Sequence, residues 1–118
     1  MQAAVHNVQG LAYKHSGRLK AAMTEYDAAL AIDPDNAEAL DNRGVIWDAL
    51  GKYDRAIADY DRALALSPSD ASAYYNRGNA YANMGRTEKA IADFRRAWHL
   101  DSSLHIAREA LKVFGAEP

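Results

Sequence analysis

Large apolar residues and small ones recur along this chain at one fixed interval. Tyr13, Trp47 and Tyr81 stand 34 residues apart. Tyr26, Tyr60 and Phe94 keep the same interval, as do Ala22, Ala56 and Ala90, and then Ala29, Ala63 and Ala97. Six of the seven glycines join the pattern, as Gly10, Gly44 and Gly78 and as Gly17, Gly51 and Gly85. Whole words are shared: Asn42-Arg43-Gly44 matches Asn76-Arg77-Gly78, and Ala56-Ile57-Ala58-Asp59 matches Ala90-Ile91-Ala92-Asp93. Nowhere do apolar and polar residues alternate over a useful length, so no strand competes with a helical reading. Self-similarity at this period marks a stacked-repeat architecture.

Each unit reads as two helices. The first glycine lies in mid-helix, where it costs about 1 kcal/mol against alanine, so a close pass of the facing helix is expected there. The second glycine ends that helix in the left-handed conformation. The aromatic between them is a knob, and the small alanines of the second helix are its holes. Pro34 and Pro68 then stop the second helix, with Ser102 in place of a third proline. Asp35 with Glu38 reads as a capping pair, and Ser69 or Asp70 and Ser102 or Ser103 as the later caps. The spacing predicts first helices over 3–16, 37–50 and 71–84, second helices over 18–32, 52–66 and 86–100, and a closing helix over 104–114. Ala107, Leu111 and Phe114 share one face of that last helix and are expected to cover the third unit.

The length of 118 residues allows one domain, taken here as 1–118, with repeats over about 3–36, 37–70 and 71–104. Alanine, the best helix former, supplies 25 residues. Net charge is -2, which gives no basic excess to draw the chain onto nucleic acid or anionic lipid. Cysteine is absent, which removes disulfides, thiolate metal sites and cysteine nucleophiles and fits a reducing, cytoplasmic setting. No apolar run approaches the ~20 residues that span a bilayer, and Met1 to Gly10 lack a leader pattern. The first repeat begins almost at Met1, as expected of a piece of a longer protein.

The paired glycines, the aromatic columns and the proline at each period resemble the tetratricopeptide repeat family, over about residues 3–104. The resemblance implies an all-α, right-handed superhelical solenoid of antiparallel helix pairs, with seven helices. It also implies that the first helices line a concave groove that holds a partner peptide or protein. There are departures. His6 stands where Leu40 and Tyr74 supply a large apolar group, as expected of an end unit with one face in water. Gln9, Arg43 and Arg77 stand where leucine is commoner, their stems covering apolar surface while their heads reach water or acids. Thr87 replaces the larger Tyr53 and Leu19.

The family phase assigns groove positions. Unit one supplies Asn7, Val8, Leu11, Lys14 and His15. Unit two supplies Glu38, Asp41, Asn42, Val45, Asp48 and Ala49. Unit three supplies Ser72, Tyr75, Asn76, Asn79, Ala82 and Asn83, and the closing helix adds Ile106, Glu109 and Val113. The peptide-binding candidates are Asn7, Leu11, Glu38, Asp41, Asn42, Val45, Asp48, Tyr75, Asn76, Asn79 and Asn83. Asn42 and Asn76 share one position, and an amide that both donates and accepts matches a peptide unit; the alternative is an inherited repeat word. Glu38, Asp41 and Asp48 make unit two the acidic one, with a net charge near -3 by count. A concave wall of one sign focuses its field on a basic ligand; alternatively these acids pair with Arg43 or Arg55. Leu11, Val45 and Tyr75 offer apolar contact, unless Tyr75 packs against the next repeat.

Some functions are not expected. Relatives that clamp acidic chaperone tails use groove cations. The matching positions here are Asn7, Leu11, Asn42, Ser72 and Asn76, so no acidic C-terminal chaperone tail is expected to bind. His6, His15, His99 and His105 form no i, i+4 pair, and about four converging ligands are needed for zinc. No metal or other cofactor is expected. Neither a nucleophile turn nor a phosphate loop is present, so the chain reads as no enzyme. Arg95, Arg96, Arg108 and Lys112 are too thin a footprint for nucleic acid. Asp54, Asp59 and Asp61 read as a solvated convex face. The functional expectation is a protein–protein interaction scaffold. The rivals are a structural self-assembly module and a non-catalytic accessory domain of a larger protein.

Overall fold

Each period of the sequence folds as a helical hairpin because a left-handed glycine separates two alanine-rich runs. A computed structural model describes residues 2–118; Met1, where the expected domain 1–118 begins, lies outside them. The described residues form α1 (Ala3–His15), α2 (Leu19–Ile32), α3 (Ala37–Ala49), α4 (Tyr53–Leu66), α5 (Ala71–Asn83), α6 (Thr87–Leu100) and α7 (His105–Val113). At the first turn of unit two, Gly51 adopts φ 76°. Its N–H donates to the Asp48 carbonyl and that of Lys52 to the Trp47 carbonyl, which satisfies the last carbonyls of α3.

The mid-helix glycines have a different cause. A Cβ on Gly44 would lie 2.5 Å from Tyr60 Cε1. The tyrosine ring of α4 therefore lies flat against the backbone of α3, and only a hydrogen fits between. Gly10 meets Tyr26 and Gly78 meets Phe94 in the same way.

The core belongs to the joints between units. Ala22 and Tyr26 of unit one pack with Ile46 of unit two, and Ala56 and Tyr60 of unit two with Ala80 of unit three. Ala90 and Phe94 pack with Leu111 of α7, and Phe114 stacks on Phe94 at 6.1 Å. A hairpin alone leaves its share of these joints in water, which is why such units fold only as a stack.

The caps differ in part from the expectation. Asn36, not Asp35, caps α3, its Oδ1 accepting from Ala39 N at 3.0 Å. Asp70 caps α5 as expected. Neither Ser102 nor Ser103 caps α7, whose N-cap is Leu104 without a side-chain bond; Ser103 bonds back to Asp101 instead.

The acids of the second helices are also corrected. Asp59 is not on a solvated face; it is buried, and Arg43 Nε and Nη2 donate to both its oxygens at 2.8 and 2.9 Å. Arg43 Nη1 reaches Asp27 of the preceding unit at 3.2 Å. Arg77 repeats the arrangement with Asp93 and Asp61. Each arginine thereby ties its own unit to the one before it. In the closing helix the equivalent position is the buried Leu111.

Candidate functional site

The first helices α1, α3 and α5 pack side by side, whereas each second helix packs chiefly on its own first helix and on the next. The closer-packed layer is the inner one, so the exposed side of α1, α3 and α5 is concave.

Two hydrogen bonds cross the seam between α3 and α5. Asn76 Nδ2 donates to Asp41 Oδ1 at 3.1 Å, and Asn83 Nδ2 donates to Asp48 Oδ1 at 2.9 Å. Both join residues 35 apart, so they are one repeat-related contact made twice, two helical turns apart. An amide fixes a carboxylate without neutralising it. Among the described residues, Glu38, Asp41 and Asp48 make no ion pair. They pair with neither Arg43 nor Arg55: Arg43 is held by Asp59 and Asp27, and Arg55 lies over the Trp47 ring.

Burial pushes the Asp41 carboxyl up to about 6. The Asn76 bond and the Lys14 charge act against this, while Asp70 adds to it. Beneath the seam, the Tyr60 hydroxyl is raised well above its ordinary value by burial, then by Asp41, Asp48 and Asp59. The Tyr26 hydroxyl goes up to about 12, from burial first and Glu38 second. Both hydroxyls are buried without a hydrogen-bond partner.

The seam between α1 and α3 differs. Asn7 is buried and donates to Asn36 Oδ1 at 3.3 Å. Asn7 Oδ1 and Asn42 Nδ2 are buried and unpartnered, and they hold the same repeat relationship as Asp41 and Asn76. Where unit two supplies a charged acceptor, unit one supplies a neutral amide, and the cross-seam bond is not made.

The remaining candidates divide between wall and packing. Glu38 and Asn83 are exposed; Leu11, Asn42, Val45, Tyr75, Asn76 and Asn79 are half-buried. Val45 packs on the Tyr60 cluster, and Tyr75 lies 5.6 Å from Phe94, centroid to centroid. Val8, Ile106 and Val113 are exposed, and Glu109 pairs with Lys112. The sequence led to acids or water as the partners of Arg43 and Arg77 but not to Asp59 and Asp93, whose joint recurrence with them was the available signal. The cross-seam amide bonds were missed. Among the described residues no group of three or more metal-ligating side chains gathers, and no helix is long and apolar enough to cross a membrane.

Comparisons with known proteins agree on the architecture. A family described as TPR repeat matches residues 10–47 and 49–85, and one described as tetratricopeptide repeat matches 71–103. No curated protein matches in sequence. Among solved structures, an O-GlcNAc transferase mutant of Thermobaculum terrenum is similar at 32% identity and a TM-score of 0.91, over 94% of this chain. The chain spans only 21% of that protein. The first TPR of Spaghetti (RPAP3), bound to the HSP90 peptide SRMEEVD, is 28% identical with a TM-score of 0.90, over 96% of this chain and 90% of that one. The Arabidopsis OM64 TPR domain is 27% identical with a TM-score of 0.88, over 93% and 91% of the two chains.

Proposed function

Because the chain belongs to the tetratricopeptide repeat family, whose domains mediate protein–protein interaction, we propose that its concave face binds a peptide or protein segment carrying basic and apolar residues. The whole chain acts in this reading as one binding domain, residues 1–118, with repeats over about 3–36, 37–70 and 71–104 and a closing helix over about 104–114. One contrast carries it. Asp27, Asp59, Asp61 and Asp93 each meet an arginine, two acids to one cation. On the concave side Asp41 and Asp48 are held only by amides, so their charge is left for a ligand.

Asn42 and Asn76 grip main chain in this reading, while Leu11, Val45 and Tyr75 supply apolar contact and Asn7, Asn79 and Asn83 complete the wall. An acidic peptide such as the one held by the Spaghetti structures is not the proposed ligand. The positions Asn7, Leu11, Asn42, Ser72 and Asn76 carry no cation, and Glu38 and Asp41 repel an acidic tail. The test is fluorescence anisotropy with basic and acidic peptide libraries. Preferential binding of basic peptides, weakened by Asn42→Ala plus Asn76→Ala, is expected. Equal weak binding of both, untouched by that pair, ends the reading.

Self-association is the second reading. Val5 and Val8 are exposed on α1, and Ile106 and Val113 on α7, so the first and last helices both show apolar residues to solvent. A monomer at high concentration in sedimentation would exclude it. A place as a non-catalytic part of a larger protein accords with either reading.

A further inference from the structure

The two cross-seam bonds frame a window on the groove floor. On α3 its corners are Asp41 and Asp48, and on α5 they are Asn76 and Asn83. Gly44 lies between the two acids and Ala80 between the two asparagines. The Tyr60 ring fills the space behind, against Gly44 and Ala80. Its hydroxyl lies within reach of the charges of Asp41, Asp48 and Asp59. Tyr60 is wholly buried, and this hydroxyl has no hydrogen-bond partner. An unused donor and acceptor in a frame of two fixed acids is costly unless something arrives to use it.

The spacing says what arrives. Asp41 and Asp48 lie about 10 Å apart along α3, at ~1.5 Å per residue. Charge-assisted hydrogen bonds are only about 2.8 Å long, so a single planar guanidinium does not span the pair. Two cations are needed. An extended segment in the polyproline II conformation advances about 3.1 Å per residue and turns every three residues. Side chains three positions apart therefore lie on one face, about 9 Å from each other.

Resting on the groove reading above, we propose that this window takes two basic side chains of one extended segment, three positions apart, with the main chain between them over Tyr60. Each cation replaces an asparagine as the partner of its carboxylate, because an ionic hydrogen bond outcompetes a neutral amide donor. The displaced amide turns to the ligand main chain and uncovers the Tyr60 hydroxyl, which gains a peptide partner. The asparagines hold the carboxylates in place beforehand, which lowers the ordering cost of binding.

The test uses the full chain and labelled alanine-based peptides carrying two arginines one, three or five positions apart, at equal net charge. The peptide with arginines three apart should bind about fivefold more tightly than the others. Asp41→Asn with Asp48→Asn should erase that preference. Tyr60→Phe should lower the affinity of the same peptide about threefold and leave the fold intact, since Phe94 fills the equivalent place in unit three. Equal affinity at all spacings overturns the window while leaving the acidic groove standing. Failure of every basic peptide to bind the unaltered chain removes both.

Discussion

Asn76 Nδ2 donates to Asp41 Oδ1 at 3.1 Å across the seam between two repeats. This bond opposes the rise that burial imposes on the Asp41 carboxyl. Asn76→Ala removes the opposition, so the Asp41 pKa should climb above its present value of about 6. Carboxyl carbon shifts followed by NMR against pH measure this directly. A pKa that stays put would mean the bond does not persist in solution.

The same carboxyl makes stability depend on pH with an unusual sign. Its ordinary value is 3.8 and its folded value about 6, so between them the folded chain binds the extra proton. Stability from this group therefore falls as pH rises through that window, and the penalty is complete above about 6. The groups facing Asp41 are Lys14, Asp70 and Asn76, with Tyr60 below. Asp41→Asn keeps the acceptor and drops the charge. It should raise stability near neutral pH by no more than about 3 kcal/mol and leave it nearly unchanged near pH ~4. Thermal unfolding of both chains at the two pH values decides it; an equal gain at both would sink the account.

Helix propensity and packing disagree in sign at Gly44. Alanine in mid-helix is worth about 1 kcal/mol more than glycine, yet its Cβ would lie 2.5 Å from Tyr60 Cε1. Overpacking against a buried ring costs about 1–3 kcal/mol, so Gly44→Ala should destabilise the chain in urea titrations. At Gly51 nothing lies within 4 Å, but φ is 76°, so alanine there should cost about 1–2 kcal/mol from backbone strain alone. A stabilised Gly44→Ala chain would refute the close approach.

Arg77 holds the buried Asp93 through two bonds and Asp61 through a third. Arg77→Leu leaves Asp93 charged, buried and unpaired, at an expected cost of about 3 kcal/mol. Adding Asp93→Asn should restore much of that loss, because the uncompensated charge is gone. A double-mutant cycle in urea reads the coupling; additive losses would show that the pair contributes only packing.

How much of this was legible in the sequence depends on how far each feature reaches along the chain. The hairpins, their glycines and the close pass of the facing helix were readable from the recurrence; that the rings of Tyr26, Tyr60 and Phe94 make that pass was not. That Asp41 and Asp48 share one face of α3 followed from their seven-residue spacing. Their partners did not: an aspartate and an asparagine 35 residues apart have no local signature, and Arg43 was the nearer ionic candidate. Asp59 looked solvated because three acids close together usually are. It is buried because Arg43 reaches across from α3 to meet it.

The sequence by itself determined the helices and the repeat phase, because backbone conformation and face are decided within a turn or two of chain. Only the tertiary structure decided which acids meet an arginine and which are held by an amide, because that turns on side chains meeting between units. The arginines reach the second helices, and the amides cross the seam between first helices. The two sets of carboxylates, alike in composition, therefore differ in whether a cation stands against them.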